Sequence, residues 1–286
     1  MPAILLDGRA FARELREELQ RDVAQFVQQT GGLRPQIGVV QVQGDAAAEK
    51  YVRTIRKLCD SMGVAFRLER LPVDVSQSRL DATIDRLSRD TTVHGVLIEM
   101  PLPRPLSAEK AILQLDHRKD VDGIHPFNAG LLAQGRPALV PNTPAGALAL
   151  LRRYDIDLTG RHVAMVGHSA VVGRPLAALL LAADATVTVC HEHTRNMAAL
   201  LRECDVVAVA VGKAGLITAD MLCTGVVVVD FGINVLPDGQ VVGDVDFAAV
   251  VEIARAITPV PGGTGPVTNV MLLRNVFLSA QRQMAL

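Results

Sequence analysis

No sign of charge dominates this sequence: 29 Lys and Arg stand against 30 Asp and Glu, for a formal net charge of -1. So even a balance gives no long-range field to draw in nucleic acid or an anionic membrane, and neither is an expected partner. Long apolar runs are missing too. The stretch Pro175 to Ala183 is among the longest, far short of the roughly 20 residues a membrane helix requires, and this predicts a soluble protein. The opening Met1-Pro-Ala-Ile-Leu-Leu-Asp7 reaches an acid after a few apolar residues. It has neither the basic region nor the long apolar core of a signal peptide, so a cytoplasmic location is expected. Cysteine is sparse. Cys59, Cys190, Cys204 and Cys223 form no Cys-x-x-Cys pair, which suits reduced, buried thiols better than a disulfide framework. Internal repeats and low-complexity segments are absent.

What is present is core material. A chain of 286 residues with 49% apolar content can fill two ordinary domains. In the first half, Phe11, Leu15, Leu19, Val23 and Phe26 recur at helical spacing between Asp7 and Gln29, and Gly31-Gly32 ends the run. A strand is predicted at Ile37 to Val42, a helix at Asp45 to Met62, a strand at Ala65 to Leu71, a helix at Ser76 to Ser88 and a strand at Gly95 to Ile98. Such alternation predicts a parallel sheet with helices on both faces. A second series follows the turn Tyr154 to Gly160, with strands at His162 to Val166, Thr186 to Cys190, Val206 to Val211 and Gly225 to Asp230. Their nearly continuous Val and Ala content marks strands buried on both faces. The proline-rich crossing Arg136 to Pro144 places a domain boundary near it, and a terminal helix is expected at Val267 to Gln281.

Gly167-His-Ser-Ala-Val-Val-Gly-Arg-Pro175 follows a predicted strand and opens a helix. In that setting Gly167 permits a tight turn, Gly173 lets the helix approach the sheet, and the helix N-terminus offers amides to a pyrophosphate. Glu192 lies just beyond the next strand, where dinucleotide folds place an acid on the ribose; a solvated surface acid is the alternative. His191-Glu-His193 is not read as a metal site, because alternate side chains at a strand end diverge and no further ligand cluster is evident.

The motifs Tyr51-Val52, Pro101-Leu-Pro103, Lys119-Asp-Val-Asp-Gly-Ile-His-Pro126, Val166-Gly-His-Ser to Val-Gly-Arg-Pro175, Asp230-Phe-Gly-Ile-Asn234, Val241-Val-Gly-Asp-Val245 and Thr258 to Pro266 occur in this order. In them the chain resembles the bifunctional methylenetetrahydrofolate dehydrogenase/cyclohydrolase family over essentially its full length. The resemblance implies a two-domain α/β fold. An N-terminal three-layer α/β catalytic domain would span residues 1–143 and be completed by a C-terminal helix at 267–286, a Rossmann-type dinucleotide domain would span 144–266, and a folate cleft would lie between them. It also implies a homodimer and a folate-type small-molecule substrate.

For the substrate, the resemblance implies that Tyr51 stacks on the pterin or aminobenzoyl rings and that Asp122 accepts hydrogen bonds from the amino-pyrimidone edge. Pro101 and Leu102 join them, and Pro261, Gly262 and Gly263 bring bare backbone against the substrate. For NAD or NADP it implies Gly167, His168, Ser169, Gly173, Arg174, Glu192 and Ile233. In NADP-using relatives an arginine matching Arg174 and a serine in the place of Glu192 hold the 2′-phosphate. A carboxylate about 4 Å from that phosphate costs roughly 1 kcal/mol per charge pair in water and about 4 at an intermediate dielectric, which favours NAD.

The departures concern hydrolysis. The family's cyclohydrolase lysine lies four residues after the stacking tyrosine, where this chain has Ile55; its glutamine partner corresponds to Glu99, and a nearby serine to Ala48. Arg56 and Lys57 diverge from position 55 by about 100° per residue and do not replace the lysine. Glu99, with Tyr51 and Asp122 in the catalytic group, could stabilise a developing cation or accept a proton; a paired or simply exposed acid is the alternative. The leading expectation is a methylenetetrahydrofolate dehydrogenase that has lost methenyl hydrolysis. Alternatives are a dehydrogenase recruited to another pterin or amine-derived one-carbon adduct, and a non-catalytic folate or nucleotide binder.

Overall fold

The computed structural model describes residues 2–284. Ala285 and Leu286, the end of the expected terminal helix, lie outside the described residues. In chain order the first elements are β1 (Ile4–Leu5), α1 (Gly8–Gln29), β2 (Gln36–Val42), α2 (Ala46–Met62), β3 (Ala65–Leu71), α3 (Gln77–Arg89), β4 (Gly95–Ile98), α4 (Ala108–Leu113), α5 (Pro126–Ala133) and α6 (Asn142–Arg153). The rest are β5 (His162–Val166), α7 (Gly173–Leu181), β6 (Thr186–Cys190), α8 (Met197–Arg202), β7 (Val206–Val209), β8 (Val227–Asp230), β9 (Asn234–Val235), β10 (Val241–Val242), α9 (Phe247–Val250), β11 (Ala256–Ile257) and α10 (Thr264–Gln283). No described helix is long and apolar enough to cross a membrane.

The chain forms two compact units. One comprises Met1–Glu14 with Pro141–Thr268, the other Leu15–Val140 with Asn269–Leu286. These units differ from the expected division at 143/144 and 266/267 mainly at the N-terminus, whose first residues group with the dinucleotide unit. The reason is backbone pairing: β1 runs parallel to β11, with the Ile4 and Leu6 amides donating to the Arg255 and Ile257 carbonyls at 2.9 Å. A two-residue strand is too short for periodicity to reveal.

That unit carries a six-stranded sheet in the order β1-β11-β8-β7-β5-β6, with every pairing parallel. Val163, Ala164, Met165, Val206, Val207, Val228 and Val229 are buried, as strands covered on both faces must be. β7 is shorter than the predicted Val206 to Val211, because from Val211 the backbone turns its amides onto a carboxylate described below. The proline-rich crossing already contains the start of α6. Pro144 sits in the first turn, where a missing amide costs no helical hydrogen bond.

The other unit holds a three-stranded parallel sheet, β3-β2-β4. Gly38, Val40 and Val42 share one face; a side chain at Gly38 would meet Leu87 of α3, and Val40 and Val42 belong to the core built with α3 and α4. The opposite face carries Ile37, Val39 and Gln41, the first two in register with Gly95 and Leu97 of β4. On that side a Cβ at Gly95 would meet Val276 of α10, and Arg56 of α2 lies over the Phe66 ring at 5.6 Å. Leu15, Leu19, Val23 and Phe26 of α1 are buried, and Phe26 meets Phe277 of α10 edge-on at 5.7 Å. Cys59, Cys190 and Cys204 are buried and Cys223 is half-buried, all as free thiols.

The start of α1 shows how local chemistry sets an element boundary. Asp7 accepts from the Arg9 and Ala10 amides at 2.9 and 3.1 Å, while its own amide donates to the Tyr154 hydroxyl at 2.8 Å. This is an N-cap, with the carboxylate placed on the helix-dipole's positive end. Asp7→Ala is expected to lower stability by about 1 kcal/mol and Asp7→Asn by less, read from urea unfolding midpoints.

Candidate active site

The dinucleotide unit has its topological switch point at β5, which pairs with β6 on one side and β7 on the other. Ligands of open parallel sheets bind outside the strand carboxyl ends at such a point. Gly167 leaves β5 with φ +108°, and a Cβ there would collide with the Ala210 carbonyl; a Cβ on Gly173 would collide with the Gly167 carbonyl. Both glycines are therefore demanded by the chain's contact with itself, and together they hold the loop in a tight cradle. Ser169 Oγ accepts from the Val172 and Gly173 amides at 3.1 and 3.4 Å, capping α7. His168 and Arg174 are exposed, and the His168 ring meets His191 at 4.9 Å.

Glu192 follows β6, its side chain 80% exposed and 3.6 Å from His193. Ile233 follows β8 and is exposed, as are Val171 and Val211 on the neighbouring loops. Exposed aliphatic side chains around a glycine turn suit the flat rings of a dinucleotide, so the residues present fit a nicotinamide cofactor. No group of three or more metal-ligating side chains occurs among the described residues.

Two buried aspartates hold these loops, and neither had been singled out by its residue type. Asp244 accepts from the Val211, Gly212 and Lys213 amides at 2.7, 2.9 and 2.8 Å, and from Asn234 Nδ2 at 2.9 Å. Asp230 accepts from the Gly232, Asp244 and Val245 amides at 2.8, 3.0 and 3.0 Å. A Cβ on Gly232 would strike the Asp244 carboxyl, and one on Gly243 the Asp230 carboxyl. Burial pushes Asp230 up to about 6 although three amides favour its charged form. The motifs Asp230 to Asn234 and Val241 to Val245 are two halves of one loop clamp.

Pro261, Gly262 and Gly263 lie in this same unit, in the turn between β11 and α10. Gly262 has φ +122°, with Arg9 Nε 3.2 Å from where its Cβ would stand. At Gly263 the close approach is to the chain's own Thr258 and Pro259, and the Cβ position of Gly8 is filled by the Gly263 carbonyl. The bare backbone expected to face a substrate is, at Gly263, explained by internal packing.

Tyr51, Glu99, Pro101, Leu102 and Asp122 lie in the other unit. Tyr51 stands in the second turn of α2, whose N-terminus follows Asp45. Glu99 is the first residue beyond β4, its amide donating to the Val40 carbonyl at 2.9 Å. Asp122 is placed by buried Asp120, which accepts from the Ile124 and His125 amides at 3.1 and 2.8 Å and from Asn128 Nδ2 at 2.8 Å. Asn275 of α10 secures the same segment through the Val121 carbonyl at 2.9 Å.

Electrostatics ties three of these groups together. Burial, then the charges of Asp122 and Asp45, push Glu99 up to about 7. Burial, then Asp122 and Glu99, push the Tyr51 hydroxyl well above its ordinary value. Ile55 is 0% exposed, and Ala48 is buried. Arg56 and Lys57 are exposed. Pro101 is exposed after a cis bond, whereas Leu102 packs on the core beside α3 and α4, so its side chain is engaged within the fold.

The combination of an α/β unit bearing a cluster of interacting carboxyl groups and a parallel sheet bearing a glycine cradle defines a nicotinamide-dependent oxidoreductase of two domains. Family models match both parts: the tetrahydrofolate dehydrogenase/cyclohydrolase catalytic domain over residues 6–122 and its NAD(P)-binding domain over residues 141–284. The chain belongs to the tetrahydrofolate dehydrogenase/cyclohydrolase family. It is 57% identical to the bifunctional protein FolD of Roseiflexus sp. (strain RS-1), covering 100% of this chain and 99% of that one. Among solved structures, the bifunctional FolD from Campylobacter jejuni superimposes with TM-score 0.95 at 40% identity, over 98% of this chain and 99% of that one. The Trypanosoma brucei FolD, solved with NADP and an inhibitor, gives TM-score 0.94 at 33% identity, covering 100% of both chains.

The elevated Glu99 has a consequence for stability. A carboxyl raised in the folded state holds its proton more tightly there than in the unfolded chain. Its contribution is present below the ordinary carboxylate range and lost as pH rises through about 7. Glu99→Gln, which mimics the neutral form, is expected to melt higher than the parent at pH 8.5, with the gap narrowing toward pH 4.5. Calorimetric scans across that range check it, and a gap independent of pH would contradict the assignment.

Proposed function

We propose that this chain oxidises 5,10-methylenetetrahydrofolate to 5,10-methenyltetrahydrofolate with a nicotinamide cofactor, and that it does not hydrolyse the methenyl bridge at a useful rate. The observation that carries this reading is Ile55, wholly buried at the position where the family has its lysine, in the same unit as the carboxyl groups of Glu99 and Asp122, whose charges act on one another. When bound, the cofactor's nicotinamide ring accepts the hydride. The chain's own residues supply position and charge. Tyr51 stacks on the folate rings, and Asp122 accepts from the amino-pyrimidone edge. Loss of hydride from the methylene carbon leaves a cation shared between two nitrogens, and ionised Glu99 stabilises it. No proton moves in that step.

Hydrolysis is different, because water must attack the methenyl carbon and a proton must be moved as the adduct collapses. General acid-base catalysis contributes about 10² to 10⁴ in rate, and Ile55 has no group to supply it. In a stopped assay with methylenetetrahydrofolate and either cofactor, reduced cofactor and methenyl product are expected to rise together, with the methenyl product accumulating. Enzyme-dependent decay of methenyltetrahydrofolate well above its spontaneous rate would overturn the second half of the proposal. Ile55→Lys alone is expected to restore little, since Glu99 would keep the lysine charged and a poor base. Adding Glu99→Gln is expected to help more than either change alone.

Cofactor choice belongs to the same reading. Glu192 favours NAD, and its exposure beside His193 keeps the repulsion near the solvent-screened end, about fivefold in kcat/KM over NADP. Glu192→Ser is expected to remove that margin and let Arg174 draw the enzyme toward NADP; equal or better efficiency with NADP in the parent enzyme would refute it. A homodimer is proposed from the family pattern, and an elution mass near 30.6 kDa would contradict it.

A further inference from the structure

Gln41 stands near the carboxyl end of β2, 1% exposed, and neither Nε2 nor Oε1 of its amide has a hydrogen-bond partner. Buried amides in folded proteins are nearly always satisfied, so an amide with both ends free in the interior points to a functional task. Its place in the sheet indicates the task. Gln41 is in register with Arg70 of β3, and Val40 with Ile98 of β4. One step further along the parallel ladder, continued by the Glu99 amide on the Val40 carbonyl, brings Glu99 beside Gln41.

Registered residues of adjacent parallel strands share a face and lie about 4.8 Å apart. Arg70, Gln41 and Glu99 therefore form a polar row across the carboxyl ends of all three strands, on the face that α2 covers. The charged and titratable groups around Glu99 are Asp45 before α2, Tyr51 on α2, Asp122 after the turn that follows α4, and Arg70 at the far end of the row. The row's other members leave Gln41 as the donor placed next to the carboxyl group.

We infer that Gln41 is a positioning residue for Glu99, its amide Nε2 donating to the Glu99 carboxylate through one bridging water, and holding it in the ionised, oriented form that the proposed reaction uses. The inference rests on Glu99 acting in the substrate site as proposed above. A donor to the charged form favours that form, so Gln41 opposes the effect of burial and of the neighbouring aspartates. Without that task a buried, unpartnered amide is a liability, and an apolar side chain of similar length would serve the sheet better.

The test needs no turnover. The protein is labelled with carboxyl-¹³C glutamate, the Glu99 resonance is identified by its loss in Glu99→Gln, and its titration is followed in the parent and in Gln41→Met. The expected result is a midpoint about one pH unit higher in Gln41→Met, with a melting temperature no lower than the parent's. A midpoint that stays within a few tenths of a unit would overturn the inference. Should Gln41→Met fail to fold, Gln41→Asn keeps the amide but withdraws it by one methylene, and it is held to the same criterion. Absence of methylenetetrahydrofolate turnover in the parent enzyme would sink the proposed function while leaving the Gln41 titration to be read separately.

Discussion

Glu99 leaves β4 where the parallel ladder ends, its amide still bonded to Val40, and its half-buried carboxyl stands within the field of Asp122 and Asp45. Desolvation and two like charges act on it together, and its ionisation near 7 follows from that confinement. Much of the surrounding unit maintains it. Asp120 and Asn275 hold the segment that carries Asp122, Asp45 precedes α2, and burial with the charges of Asp122 and Glu99 keeps the Tyr51 hydroxyl protonated. In the reaction proposed above, a carboxyl cluster of this kind suits a positive charge that appears on the substrate, because its groups are held in place before the charge develops.

The dinucleotide unit solves a different problem, that of keeping loops in fixed positions at the ends of strands. It does so by burying two carboxylates and surrounding them with backbone amides. Asp244 gathers three successive amides of the loop after β7, and Asp230 gathers three around the loops after β8 and β10. Glycine is obligatory where these carboxyls press against the backbone, at Gly232 and Gly243, just as it is at Gly167 and Gly173 where backbone meets backbone. The cradle for the cofactor is thus built by self-contact of the chain, with Ser169 closing the helix end.

Much of the architecture was legible in the sequence. Apolar spacing located α1, α2, α3 and α10 within a few residues, and β4 and β5 at their observed limits, because strands buried on both faces leave a nearly uninterrupted apolar record; β6, an edge strand, was found from its β-branched Thr and Val residues. Less was legible at the short elements. β1 and β11 have two residues each, and the β9-β10 hairpin likewise pairs two with two. None is long enough to show a period, and their existence depends on partners far away in the chain. The extent of α6 was obscured by prolines that lie at its start.

At the site, residue types alone determined several things: that position 55 carries no titratable group, that a carboxyl stands at position 99, and that a glycine turn precedes a helix at Gly173. Tertiary structure decided the rest. Gln41 reads as a polar interruption in an apolar strand until the fold buries it with its amide unsatisfied, one residue beyond the Val40–Ile98 pair. Asp244 reads as a loop acid until the fold brings it to Val211, 33 residues earlier in the chain. Gly263 is necessary because Thr258 and Pro259 fold back on it. Local sequence encodes backbone preference and apolar period, both short-range; burial, register and the proximity of like charges are set by contacts between distant residues, and only the folded chain specifies them.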